Sequence, residues 1–164
     1  MIFRLSTKLA AKLKAAPPAV VPLAANPRAD WSAHLFMAER TQFVIVTNTA
    51  ALYSIVFPGR GLAHAGPFVE RALSCLREFM DADGLASIYQ RGVAPTSGPV
   101  EFSKALNRSV TSSMNDLIYH AKVWLTEGGL SPHDVGFKLN NIPFSQFKYM
   151  NPREVFTTLM EDEE

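Results

Sequence analysis

The chain has 164 residues, of which 48% are apolar and 19% are charged, and these values predict a single globular domain over residues 1–164. The formal net charge is only +1, so the overall charge does not draw the protein to nucleic acid or to an acidic membrane. Cys75 is the only cysteine, and no apolar run approaches the roughly 20 residues that span a bilayer. We therefore expect no internal disulfide, no membrane span and a cytoplasmic location.

The first 30 residues predict a strand, a short helix and an extended connection. Ile2–Leu5 is typical of a strand, and Ser6 is placed to cap a helix over residues 7–15. Three leucines spaced four residues apart give this helix an apolar stripe, opposite a small basic strip of Lys8 and Lys12. A pair of prolines ends the helix, so residues 15–30 should form an extended, Pro- and Ala-rich connection.

Residues 31–57 predict a three-stranded antiparallel meander around which the rest of the chain is organised. Three apolar runs, 31–38, 42–47 and 50–57, are separated by polar gaps of hairpin length. Alternation along the first run places Trp31 and His34 on opposite faces of the sheet. The second run is apolar on both faces and is therefore expected at the centre of the meander.

Two long helices are predicted, over residues 67–83 and 107–127. The first opens with Pro67 and ends at Gly84, which suits a left-handed helix terminator. We expect both helices to cover one face of the sheet. The predicted fold class is therefore α+β, with a mainly antiparallel sheet built on the meander.

The remaining segments predict three more strands and a final helix. Residues 86–91 and 100–103 are typical of short strands, and the alternation of Val135, Phe137 and Leu139 indicates an edge strand over residues 135–139. Asn151-Pro152-Arg153-Glu154 is a helix start with a capping side chain and an acid three residues on. The acidic tail, residues 161–164, is expected to fray because acids at a helix C-terminus oppose the helix dipole.

The start of the second long helix is the main candidate for a binding site. It is rich in short polar side chains that are weak helix formers. A helix N-terminus suits a phosphate or carboxylate, and Arg108 would add a bidentate clamp. The candidate residues on this helix are Asn107, Arg108, Ser109, Ser112, Asn115, Asp116 and His120.

The same helix has two further interpretations. It could be a solvated face on which Asp116 stabilises protonated His120. Asp116 and His120 could also supply two metal ligands, but the remaining ligands would have to come from elsewhere, and neither a metal nor a cofactor is predicted. A nucleophile set of Ser112, Asp116 and His120 is rejected, because side chains stacked along one helix do not converge on one atom.

Two further candidates lie on the first strand of the meander. His34 and Trp31 would join the site if they share a cleft with the Arg108 helix. Otherwise His34 is a structural histidine whose ring is satisfied within the fold.

No established catalytic motif is present: the sequence has no phosphate-binding loop, nucleophile elbow, HExxH or CxxC. The leading hypothesis is therefore a non-enzymatic binding module for a protein or a small anionic ligand. A second hypothesis is a small enzyme acting on a phosphorylated or nucleotide-like substrate through His34, Asp116 and His120. A third is weak nucleic-acid binding through Arg4 and the lysines of the first helix. A homo-oligomer is compatible with each of them.

Three segments carry a resemblance to a known family. At Asp30-Trp31-Ser-Ala33-His34-Leu35, at Thr47-Asn48, and at Leu106-Asn107-Arg108-Ser109 with Met114-Asn115-Asp116-Leu117, the chain resembles a family of bacterial conserved hypothetical proteins known only as a domain of unknown function. The resemblance runs from the opening strand to the Ser-Pro segment after Gly129. It implies a bacterial, cytoplasmic, single-domain protein, and it implies no activity or cofactor. Independently of the resemblance, the leading hypothesis of a binding module includes a part in a bacterial defence or regulatory system.

Overall fold

The computed structural model describes residues 1–159. Five strands of this part form one sheet with the order β4-β3-β2-β1-β5. The strands are β1 (Ile2–Leu5), β2 (Asp30–Ala38), β3 (Thr41–Asn48), β4 (Ser54–Pro58) and β5 (Glu101–Lys104). The helices are α1 (Thr7–Lys12), α2 (Ala65–Ala82), α3 (Ala86–Ile88), α4 (Arg108–Thr126), α5 (Pro132–Leu139) and α6 (Pro152–Thr158).

The sheet is mixed, which corrects the mainly antiparallel sheet that the sequence predicts. Strands β2, β3 and β4 form the predicted meander, with Trp31 opposite Asn48 and His34 opposite Ile45. Strand β1, however, pairs in parallel with both β2 and β5. Both neighbours of β1 lie far from it in the chain, and parallel strands need such long connections.

Helices cover both faces of the sheet, so the prediction that the two long helices share one face is wrong. Helix α2 packs on the face that carries Trp31, and α4 packs with α5 on the face that carries Phe36 and Ile45. The two faces must both be covered because the central strands are apolar on each side. The arrangement places His34, whose side chain alternates with that of Trp31, on the same side as α4.

Two predicted strands are helical. Residues 86–91 fall in α3 and in a π-helical continuation, Tyr89–Val93. Residues 135–139 belong to α5, whose true start signal is Ser131: its hydroxyl accepts a hydrogen bond from the Asp134 amide at 3.1 Å. The apolar alternation over 135–139 also fits a helix, because Val135 and Leu139 are four residues apart and both are buried.

The last strand of the meander begins later than predicted. A turn closes between Asn48 and Tyr53: the Asn48 amide donates to the Tyr53 carbonyl at 2.7 Å, and the Leu52 amide donates to the Asn48 carbonyl at 2.8 Å. Strand β4 therefore starts at Ser54 instead of Ala50. The edge of β4 is in part closed by Asn140, whose side-chain amide pairs with both the amide and the carbonyl of Ser54.

Several terminal features match their sequence signals. Ser6 caps α1, which ends at Lys12, a little earlier than predicted. Strand β5 lies within one residue of the predicted strand at 100–103. Asn151 and Glu154 form the predicted capping box of α6. The acidic tail, residues 161–164, lies outside the described residues.

A buried arginine holds down the Pro- and Ala-rich connection, residues 15–30. The connection has no helix or strand over residues 15–26, but it forms a 3-10 helix at Pro27–Ala29 and enters β2 at Asp30, so the prediction of an extended connection fails at its end. We call this connection the strap. Arg4 is 1% exposed and binds both carboxylate oxygens of Asp30 at 2.8 Å. Its guanidinium also donates to the strap carbonyls of Val21 at 2.6 Å and Pro22 at 3.2 Å. Burial alone would raise the pKa of Asp30, but the hydrogen bonds from Arg4, the Ala24 amide and Thr49 lower it, so the pair is charged when folded.

Candidate functional site

A groove of about 720 Å³ opens between α1, the β2–β3 hairpin and α4. We call it the His34 groove. Strand β2 supplies its floor, the start of α1 one wall, and the middle of α4 the opposite wall. Its lining residues are Ser6, Thr7, Lys8, Ala11, His34, Leu35, Phe36, Met37, Gln42, Asn115, Ile118 and Lys122.

His34 is the buried polar group of this groove. The residue is only 9% exposed, and burial lowers its pKa below the ordinary value for histidine. Within residues 1–159 its ring nitrogens have no hydrogen-bond partner, although the ring lines the groove. The ring nitrogens are not among the fully buried polar atoms without a partner in the described residues, so they are accessible from the groove. His34 is therefore suited to form a hydrogen bond with whatever fills the groove.

Three of the other side chains in the groove, those of Lys8, Gln42 and Lys122, present hydrogen-bond donors. The Lys12 ammonium, which can only donate, binds Gln42 Oε1 at 2.6 Å. The Gln42 Nε2 group is therefore left free to donate elsewhere. Lys8 and Lys122 add two positive charges, and neither is ion-paired within the described residues. No lining residue is acidic. The groove is thus electropositive.

The groove brings together two of the nine candidate residues, His34 and Asn115. On α4, Asn115 and Lys122 are seven residues apart and face the same way. Asp116 and His120 are turned away from Asn115 by about 100° and 140°, because each helical residue adds about 100°. They do not line the groove. The enzyme hypothesis requires His34, Asp116 and His120 in one pocket, and the structure does not place them so.

Arg108 lies on the same side of α4 as Asn115 but about 10 Å nearer the helix start, at 1.5 Å per residue. It is exposed, as are Ser109 and Ser112. None of these three lines the His34 groove. The predicted anion position at the helix start and the groove are therefore two separate places on one helix.

The remaining candidates have structural contacts. The Asn107 side chain caps α4 by accepting from the Val110 amide at 3.0 Å. Trp31 is fully buried, and its indole N–H donates to the Arg28 carbonyl at 2.9 Å. His120 stacks on Trp124, with 5.5 Å between ring centroids.

Three groove residues, Lys8, Gln42 and Lys122, were not among the nine candidate site residues. Lys8 belongs to the predicted basic strip, and Lys122 follows Asn115 at helical spacing. The sequence pattern could therefore have identified both as site residues. Gln42 carried none, since its role depends on the contact with Lys12 from a distant helix.

The structure also bears on nucleic-acid binding, metal binding and membrane insertion. Arg4 is buried in an ion pair, so it is not available to the predicted basic nucleic-acid surface. In residues 1–159, no three His, Cys, Asp or Glu side chains are grouped as a metal site would require. Over the same residues, no helix has the length and apolar character needed to cross a membrane.

Comparison with known proteins gives the family of the chain but no activity. No curated protein matches it in sequence. The model of a family described as Domain of unknown function (DUF6933) matches residues 2–155, nearly the whole chain, and this confirms the resemblance drawn from the sequence. The chain belongs to the DUF6933 family.

Proposed function

We propose that this protein is a binding module and that the His34 groove holds a small anionic ligand. The observation that carries the proposal is the pairing of an unpartnered, buried His34 with two lysines in a groove without a carboxylate. A phosphate or carboxylate would accept hydrogen bonds from the lysines and from Gln42 Nε2, and from His34 when its ring presents an N–H.

The shape of the groove supports a ligand larger than an inorganic ion. Its volume, about 720 Å³, lies within the range of about 300–1,000 Å³ typical of small-molecule sites. The residues Leu35, Phe36, Met37 and Ile118 add an apolar part to the lining. A ligand with an anionic group and an apolar or aromatic body, such as a nucleoside monophosphate, fits both properties.

The test is titration calorimetry with inorganic phosphate and with AMP as probes. Lys122→Gln and His34→Gln remove one charge and one imidazole from the groove, and we expect each to weaken AMP binding about tenfold, because a hydrogen bond to a charged group contributes about 1.5–3 kcal/mol. Lys148→Gln is the matched control, since Lys148 is exposed and does not line the His34 groove.

The variant Arg108→Gln distinguishes anion binding in the His34 groove from anion binding at the start of α4. Unchanged binding in this variant, with loss in Lys122→Gln, places the anion in the groove. Loss in Arg108→Gln alone places the anion at the start of α4 and overturns the groove proposal. Binding of neither probe to the wild-type protein also counts against a small phosphate ligand.

A further inference from the structure

A second groove lies on the other side of α1 and is not part of the proposed anion site. Its volume is about 760 Å³, and it runs between α1, the strap and the end of β5. It shares Thr7 and Ala11 with the His34 groove. We call it the strap groove, and its lining residues are Leu5, Thr7, Ala10, Ala11, Lys14, Ala15, Ala16, Pro17, Val20, Lys104 and Ala105.

The lining is apolar and made of small side chains. Five of the residues are alanines, whose methyl groups leave room between the helix and the strap. Val20 is 49% exposed, which leaves an apolar side chain facing solvent at the groove wall. Filling the groove with an alkyl chain would remove this surface from water.

The charged groups in the strap groove are both positive. Lys14 and Lys104 line it, no carboxylate does, and neither lysine is ion-paired within residues 1–159. An apolar channel with two ammonium groups is complementary to a chain that ends in an anion.

The wall of the groove is held in place by hydrogen bonds, and these use backbone groups with which a bound peptide could otherwise pair. Arg4 holds the strap through the Val21 and Pro22 carbonyls. The Lys104 amide, at the end of the edge strand β5, already donates to the Ala19 carbonyl of the strap at 3.1 Å. An added β-strand would lack this backbone partner, whereas an alkyl chain needs none.

From these observations we infer that the strap groove binds an aliphatic carboxylate, with its chain along the alanines and its carboxylate at Lys14 and Lys104. The ligand class is a medium- or long-chain carboxylic acid. The two grooves share Thr7 and Ala11 but have different lysines, so either proposal can fail without the other.

The test is calorimetric titration of the full chain with hexanoate, octanoate and decanoate below their micelle concentrations, with acetate and decanol as comparisons. Burial of each additional methylene should tighten binding about fourfold, the equivalent of about 0.8 kcal/mol. Val20→Asp places a carboxylate in the exposed wall, and we expect it to weaken decanoate binding at least tenfold. The double variant Lys14→Met/Lys104→Met should weaken decanoate about tenfold and leave decanol unchanged.

Three results would overturn the inference. The first is an affinity that does not grow with chain length, or no binding at all. The second is equal decanoate binding by wild type and Val20→Asp. The third is concentration-dependent dimerisation in sedimentation runs that Val20→Asp abolishes, which would assign the groove to a second copy of the chain. Lys148→Gln, at an exposed lysine that lines neither groove, is the control and should bind decanoate as the wild type does.

Discussion

Replacing Arg4 by methionine tests whether the buried ion pair with Asp30 holds the strap and the sheet together. Arg4 donates five hydrogen bonds, two to Asp30 and the others to Val21, Pro22 and Ser103. Methionine keeps much of the aliphatic volume but leaves the Asp30 carboxylate buried without a cation. Breaking a buried pair in this way costs about 3–5 kcal/mol, a large part of the roughly 5–15 kcal/mol that stabilises a typical domain.

The pH dependence gives this prediction a sign. In the wild type the pKa of Asp30 is lowered on folding. The ionised carboxylate therefore contributes fully to the free energy of unfolding above the unfolded pKa, and this contribution is lost as the pH falls through the lower, folded pKa. Without Arg4, burial raises the pKa of Asp30, and the folded variant takes up a proton earlier. The stability gap between wild type and Arg4→Met should therefore narrow as the pH falls below about 5.

The assay is urea unfolding followed by circular dichroism from neutral to acidic pH. Arg60→Met, at an exposed arginine, is the control and should change the free energy of unfolding by no more than about 0.5 kcal/mol. The double variant Arg4→Met/Asp30→Leu should be more stable than Arg4→Met, because no buried charge is left unpaired. The reasoning would be refuted if the free energies of unfolding of wild type and Arg4→Met differ by less than about 1 kcal/mol at neutral pH, or if this difference does not become smaller in acid.

Three further predictions follow from contacts elsewhere in the fold. Asn140→Ala leaves the amide and carbonyl of Ser54 buried without their partners, so urea unfolding should show a loss of about 2–4 kcal/mol, and a loss below about 1 kcal/mol would contradict the role of Asn140. Gly136→Ala places a Cβ 2.7 Å from Phe79 Cε2, so we expect a loss of about 1–3 kcal/mol by the same assay, whereas a neutral result would mean that the ring moves freely. Because burial lowers the pKa of His34 and a bound anion favours its protonated form, sulfate binding should tighten from about pH 8 to about pH 5, and this trend should be absent in His34→Gln.

The sequence alone determined the features that depend on neighbouring residues. The capping box at Asn151 and Glu154 needs only three residues of spacing, and the structure has it. The alternation along β2 placed Trp31 and His34 on opposite faces, because a strand has a strict period of two. The antiparallel meander was also predictable from the sequence, because hairpins join segments that are close in the chain.

The tertiary structure decided what depends on distant pairing. The residues at 135–139 satisfy both a period of two and a spacing of four, and packing of Val135 and Leu139 against the sheet selects the helix. The parallel pairing of β1 with β2 and β5 joins segments up to about a hundred residues apart. The same long-range closure brings α1 and α4 to either side of His34, and creates the groove. Local patterns cannot encode such contacts, because their free energy is gained only when the whole chain has closed around one core.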